Sequence, residues 1–162
     1  MLVKRLKMDK PKKTRIIGID YGTARFGIAV SDEMKIIAMP LMTITSESKS
    51  EKTVIKILAE LKTASGLNKY EIEAIVIGLP LKMNGKFGLQ ADDVTHFIEL
   101  LKTHTDIPII AWDERLTTVQ AERSMREGNM TRKKRSKIVD KVAAVIILQS
   151  YLDNRNLMHS TS

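Results

Sequence analysis

The chain has 162 residues, of which 43% are hydrophobic, and it carries a formal net charge of +8 with no cysteine. That length suffices for one ordinary core and excludes two large lobes, while the lack of cysteine excludes disulfides, thiolate zinc sites and cysteine nucleophiles. The excess of positive charge makes a polyanion such as nucleic acid the first partner to consider.

A basic segment opens the sequence. Residues 1–14 contain six lysine or arginine residues and no sustained apolar periodicity, which predicts a flexible arm. The segment lacks the apolar core of a secretory signal, and no window of the chain approaches the roughly 18 apolar residues that a membrane helix needs. We therefore expect a cytoplasmic protein without a membrane partner.

Three apolar, β-branched runs follow the arm, at 15–20, 26–31 and about 35–44. The connections between them are short, which predicts antiparallel hairpins. The domain is therefore expected to begin with a three-stranded meander.

Helix and strand patterns alternate after residue 48, and each later strand is reached through a helix, so it should lie parallel to a neighbour. Ser48 and Glu51 are a candidate capping box for the first helix, and Gly66 is its candidate stop. The pattern predicts an α/β fold with a mixed five-stranded sheet flanked by helices, in one domain over 15–154, followed by a flexible tail over 155–162. The predicted elements are a helix over 49–65, a strand over 72–78, a loop through Pro80 and Gly85, a helix over 89–104, a strand over 107–112, a short helix capped by Thr117, and a helix from 136 to about 154.

Asp20 stands at the end of the first apolar run. Burying an unpaired charge there would cost several kcal/mol or more, so the carboxylate should face water, a cation or a partner. The alternative is an aspartate that hydrogen-bonds the turn after its own strand.

Two further acidic positions are candidates for the same site. Asp113 and Glu114 directly follow a predicted strand, at the end where sheets built from crossovers usually carry their sites, although a surface charge near a helix N-terminus would look the same. Asp140 lies early in the last helix, at the margin of its buried stripe. If these carboxylates converge in the fold, they form a hard-oxygen site for Mg²⁺ or Mn²⁺, and two such ions about 4 Å apart would suit phosphodiester hydrolysis.

Basic residues flank these acids. A run of positive charge precedes the helix that carries Asp140, and such a run can bind phosphates, although a solvated surface has the same composition. Aromatic residues make up only 4% of the chain, which argues against a broad base-stacking surface. The candidate nucleic-acid contacts are Arg25, Arg115, Arg132, Lys133, Lys134, Arg135 and Lys137.

Four blocks follow one another along the chain: Gly18-Ile19-Asp20-Tyr21-Gly22, Gly78-Leu79-Pro80-Leu81, Asp113-Glu114-Arg115-Leu116-Thr117-Thr118, and Val139-Asp140-Lys141-Val142-Ala143-Ala144 with Ile147-Leu148-Gln149. In this order they closely resemble the YqgF family, also called RuvX, Holliday-junction-resolvase-like proteins regarded as nucleases that process pre-16S rRNA.

The resemblance implies an RNase H-like fold, a divalent-metal-dependent hydrolase of the bacterial cytoplasm, and a role in ribosome biogenesis. Its implied partners are a structured rRNA precursor and ribosomal particles, and its implied active-site acids are Asp20, Glu114 and Asp140. Resolvases of the wider superfamily commonly carry another acid where this chain has Gly78-Leu79-Pro80. The number of bound metal ions therefore stays open.

Three other functions fit parts of the same pattern. A DNA nuclease acting on four-way junctions and a non-catalytic nucleic-acid or ribosome-assembly binder would carry similar acids and basic runs. An actin-like or sugar-kinase ATPase is suggested because Gly18-Ile19-Asp20-Tyr21-Gly22-Thr23 also resembles the first phosphate-binding hairpin of that class. The ATPase is the weakest alternative, because this chain has residues for only one of the two lobes.

Overall fold

A computed structural model of the chain describes residues 12–79, 89–113 and 132–160, and within them the side chains other than those of 89–91, 132–141 and 160. The described elements are five strands and three helices. In chain order they are β1 (Thr14–Asp20), β2 (Arg25–Ser31), β3 (Ala38–Thr45), α1 (Ser50–Leu67), β4 (Glu71–Leu79), α2 (Leu89–His104), β5 (Ile109–Asp113) and α3 (Arg132–Ser160).

The five strands form one mixed sheet in the order β3-β2-β1-β4-β5. Strand β2 is antiparallel to β1 and β3, whereas β4 is parallel to β1 and β5 is parallel to β4. This is the strand order and direction of an RNase H-like sheet, so the predicted fold class is confirmed. The carboxyl ends of β1, β4 and β5 consequently meet at one edge of the sheet, which we call the carboxyl edge.

Both faces of the sheet are covered, which explains why β1 is an almost continuous apolar run. Ile17 and Ile19 point to the face that α1 and α2 cover, and Ile16 points to the opposite face, which α3 covers. On the first face they pack with Val54, Ile57, Leu61, Val94, Phe97 and Leu101; on the second face Ile16 packs with Val76, Ala144, Ile147, Leu148 and Leu152.

The ends of α1 differ from the prediction. Its N-cap is Lys49, which makes no side-chain capping bond, so the capping box of Ser48 and Glu51 is wrong. Thr53 stabilises this start instead, because its Oγ1 accepts a hydrogen bond from the Glu47 N–H at 2.9 Å. Gly66 lies inside the helix, and the end is closed by Asn68, whose Nδ2 donates to the Ala64 carbonyl at 2.9 Å.

Helix α3 is longer than predicted at both ends, beginning at Arg132 and ending at Ser160 instead of spanning 136–154. Most of the predicted tail over 155–162 is therefore helical. A long-range contact holds this last part, since Asn156 Nδ2 donates to the Lys35 carbonyl in the β2–β3 hairpin at 3.1 Å.

Several predicted segments lie outside the described residues: the arm as far as 11, the loop through Pro80 and Gly85, and the short helix capped by Thr117. Within the described ranges no helix combines the length and the apolar character needed to traverse a lipid bilayer.

Candidate active site

Asp20 ends β1 at the carboxyl edge and is half-buried. Alternate residues of a strand share a face, so Asp20 lies on the same face as Ile16 and Gly18, the face that α3 covers. The next residue, Tyr21, packs on the opposite face, with its ring centroid 5.1 Å from that of Phe26. Asp20 is thus placed toward α3 while its neighbour anchors the chain in the other core.

The turn after Asp20 has a fixed shape. A Cβ on Gly22 would overlap the Arg25 carbonyl oxygen, so only glycine fits there. Ser46 holds the turn from the β3–α1 connection, because its Oγ donates to the Thr23 and Ala24 carbonyls at 3.1 Å each. These contacts connect the Asp20 turn rigidly to the sheet.

Gly18 lets α3 approach the backbone of β1. A Cβ at this position would lie 2.7 Å from Leu148 Cβ and 3.2 Å from the Ala144 carbonyl oxygen, both closer than ordinary contact. An isolated glycine inside a strand pattern often marks such an approach, and this is the signal by which the contact could have been found in the sequence.

The direction of α3 decides which of its residues lie near the carboxyl edge. Residues after Leu148 approach the start of β1: Asn156 bonds the β2–β3 hairpin, and Ser31 at the end of β2 accepts the Ile16 N–H at 2.8 Å. Residues before Ala144 therefore approach the end of β1. Position 140 precedes Ala144 by about one turn, roughly 6 Å of rise, and Asp20 follows Gly18 by roughly 6.6 Å along the strand. From these two rises we expect the backbone at position 140 to lie near the level of Asp20.

Strand β5 ends at the same carboxyl edge of the sheet, with Asp113. Ile110 and Trp112 pack on the α3 face, and Trp112 Nε1 donates to Ser150 Oγ of α3 at 3.0 Å. Since faces alternate along a strand, Asp113 lies toward the α1 and α2 face. Glu114 itself lies outside the described residues.

The structure thus describes the side chain of one predicted acid, Asp20, and the backbone of a second, Asp140. Among the described side chains, which do not include those of Glu114 and Asp140, no group of three acidic or histidine residues could hold a metal ion. Of the predicted phosphate contacts, Arg25 begins β2 beside the Asp20 turn, 132–137 form the first turns of α3, and Arg115 lies outside the described ranges.

The sequence profile of the RuvX family, described as Holliday junction resolvase, matches residues 14–154 of this chain. The chain belongs to the RuvX family. The membership predicted from the four sequence blocks is therefore confirmed, and it counts against an actin-like ATPase lobe.

Two RuvX relatives carry the name "Putative pre-16S rRNA nuclease". The protein from Protochlamydia amoebophila is 63% identical over 147 residues, which cover 91% of this chain and 98% of the relative. The protein from Clostridium acetobutylicum is 48% identical over 140 residues, covering 86% and 98%. Among solved structures, Thermus thermophilus RuvC in complex with a Holliday junction substrate aligns with 87% of this chain and 94% of that chain, at 13% identity and a TM-score of 0.47.

Proposed function

We propose that this chain is a cytoplasmic, divalent-metal-dependent nuclease that hydrolyses phosphodiester bonds at the 5′ end of precursor 16S rRNA during ribosome biogenesis. The carboxylates of Asp20, Glu114 and Asp140 would hold Mg²⁺ or Mn²⁺. One observation supports the proposal: Gly18 of β1 lies against Ala144 and Leu148 of α3, and from this contact we expect position 140 near the level of Asp20 on the same face of the sheet. The names of the relatives supply the substrate class.

The residues at this edge fit a hard divalent cation. Carboxylate oxygens are the ligands that Mg²⁺ and Mn²⁺ prefer, and Mg²⁺ usually keeps several waters beside one or two carboxylates. Ile19 pairs with Ile77, so Gly78 of β4 lies next to Asp20 and places no side chain there. Since Gly78 adds no side chain between β1 and β5, three carboxylates there would leave room for water and a phosphate. When bound, the cation would activate the attacking water and stabilise the leaving oxygen.

The chain's own residues would position the substrate. The fixed turn at Gly22 holds the Asp20 backbone, so its carboxylate needs little reorganisation when the phosphate arrives. The basic first turns of α3, 132–137, precede position 140 and therefore extend toward the carboxyl edge, where with Arg25 and Arg115 they would bind phosphates flanking the scissile bond. Recognition by phosphate contacts makes affinity strongly dependent on salt.

The test is cleavage of a precursor 16S rRNA fragment spanning the mature 5′ end, in Mg²⁺, in Mn²⁺ and in EDTA. We expect metal-dependent cleavage by the wild type and a loss of at least about 100-fold in Asp20→Asn, Glu114→Gln and Asp140→Asn. Asp113→Asn is the matched control, because it removes an adjacent carboxylate from the opposite face of β5 and should keep activity. Equal RNA binding by all variants without wild-type cleavage would instead make the protein a non-catalytic binder.

Four-way DNA junctions are the second candidate substrate, favoured by the description of the RuvX family as Holliday junction resolvase. Both substrates present the closely spaced phosphates that the basic residues would bind. The same cleavage assay with a synthetic four-way junction separates them, since an rRNA-processing enzyme should have the larger kcat/KM on the rRNA fragment.

A further inference from the structure

The side-chain amide of Gln149 joins α3 to the backbone of the β2–β3 hairpin through two bonds. Its Oε1 accepts the Ala38 N–H at 2.9 Å, and its Nε2 donates to the Ile36 carbonyl at 2.8 Å. A second Nε2 bond, to Asp153 Oδ1 at 2.9 Å, fixes which way the amide faces. Gln149 therefore uses both its donor and its acceptor capacity on fixed partners.

The next residue, Ser150, bonds α3 to the other side of the sheet. Ser150 Oγ accepts the Trp112 indole N–H at 3.0 Å, and the Trp112 ring meets that of Tyr151 edge-to-face at 5.5 Å. Trp112 belongs to β5 and Ala38 to β3, the two outer strands of the sheet. Two adjacent residues of α3, Gln149 and Ser150, are thus bonded to the two outer strands of the sheet. This arrangement fixes the rotation of the helix about its axis and its position along the sheet.

Apolar packing alone cannot fix the rotation and the position of α3. The contact of Leu148 with Gly18 sets how closely α3 approaches β1, but apolar contacts have no direction and permit small rolls and slides. Hydrogen bonds to a strand backbone depend steeply on angle and distance, so they select one orientation.

We propose that Gln149 is a positioning residue for the active-site acid at position 140, acting through the rigid helix between them. The inference rests on the proposed function. Position 140 lies nine residues before Gln149, roughly 13.5 Å along the axis, so a tilt of about 5° about Gln149 moves it by roughly 1 Å. A misplacement of about 1 Å can cost about 100-fold in rate.

The test compares Gln149→Met with Asn156→Leu. Methionine keeps the length of the side chain and removes every bond of the amide. Asn156 also bonds α3 to the β2–β3 hairpin, through the Lys35 carbonyl, so its variant is a control for the general loss of such a bond. The measurements are the thermal midpoint, the Mn²⁺ dissociation constant from the electron paramagnetic resonance signal of the free ion, and kcat and KM on the rRNA fragment.

We expect Gln149→Met to lower kcat by roughly 10- to 100-fold and to weaken Mn²⁺ binding several-fold, with KM for RNA nearly unchanged. Asn156→Leu should keep wild-type kcat, KM and Mn²⁺ affinity, even where its thermal midpoint falls as far as that of Gln149→Met. Gln149→Glu keeps the acceptor for Ala38 but sets a carboxylate oxygen against the Ile36 carbonyl and Asp153 Oδ1, so its losses should equal or exceed those of Gln149→Met. Gln149→Ala carries the test if Gln149→Met does not fold.

Two results overturn the positioning role: a folded Gln149→Met with wild-type kcat and Mn²⁺ affinity, or equal losses in Gln149→Met and Asn156→Leu. Both are distinct from failure of the proposed function, in which the wild type itself would neither bind Mn²⁺ nor cleave.

Discussion

Replacing Gly18 by alanine tests the contact on which the site geometry depends. The new Cβ would lie 2.7 Å from Leu148 Cβ, whereas carbon atoms in ordinary contact are about 3.5–4.0 Å apart. The second neighbour, the Ala144 carbonyl oxygen at 3.2 Å, belongs to the helix backbone and cannot rotate away. Helix α3 must therefore retreat from β1 by about 1 Å.

The energetic and catalytic effects of Gly18→Ala differ in size. Overpacking of this kind costs about 1–3 kcal/mol, and alanine recovers about 0.5–1 kcal/mol of the entropic cost of glycine, so the net loss of unfolding free energy should be at most about 2.5 kcal/mol. That loss leaves the protein folded. The retreat of α3 separates position 140 from Asp20, however, and should lower kcat by roughly 10- to 100-fold.

Urea denaturation and rRNA cleavage at a temperature where all variants are folded measure the two effects. Gly66→Ala is the matched control, because nothing lies within 4 Å of a Cβ at that position, inside α1. It should raise the unfolding free energy by about 0.5–1 kcal/mol and leave cleavage unchanged. A Gly18→Ala variant with wild-type stability and wild-type kcat would refute the close packing of α3 on β1.

Three further predictions follow from other contacts. Trp112→Phe removes the bond to Ser150 and should lower the unfolding free energy by about 1 kcal/mol in urea titrations; an unchanged midpoint would show that this bond contributes nothing. Burial raises the pKa of Asp32, but hydrogen bonds from the backbone N–H groups of Ile37 and Ile36 outweigh it and hold the pKa below its usual value. The carboxylate therefore stabilises the fold above its unfolded pKa of about 3.9, and that stabilisation disappears as the pH falls through the lower folded value. Asp32→Asn should flatten the decline of the thermal midpoint below about pH 4, whereas a parallel decline would exclude this role. Replacing Lys133, Lys134 and Arg135 together by alanine should reduce the slope of log affinity for RNA against log salt by about 2, and an unchanged slope would remove these residues from the phosphate contacts.

The sheet could be predicted from the sequence because its strands are distinct apolar runs and its connections are short or helical. Local patterns failed where long-range contacts decide. The end of α3 lacks a strong local signal, yet Asn156 bonds the β2–β3 hairpin and the helix continues to Ser160. The start of α1 looked like a capping box, but Thr53 bonds the preceding loop instead of Ser48 capping the helix.

The sequence indicated which residues belong to the candidate site, but it did not indicate how they are arranged in space. Asp20 stood out because a charge ended an apolar strand. The level at which α3 crosses β1 depends on packing between Gly18 and Leu148, which are far apart in the sequence, and no local pattern specifies it. The role of Gln149 was equally hidden, because a glutamine in a helix is ordinary until its amide is seen bonded to a strand backbone.

In the proposed active site Asp20, Glu114 and Asp140 share a cation. A crystal structure of the protein grown with Mn²⁺ and measured by anomalous scattering would locate that ion. We expect an anomalous peak at the carboxyl edge of the sheet, with oxygens of all three carboxylates about 2.0–2.6 Å away or bridged to it by one water. A peak held by other residues, or carboxylates of Asp20 and Asp140 too far apart to share an ion, would contradict it.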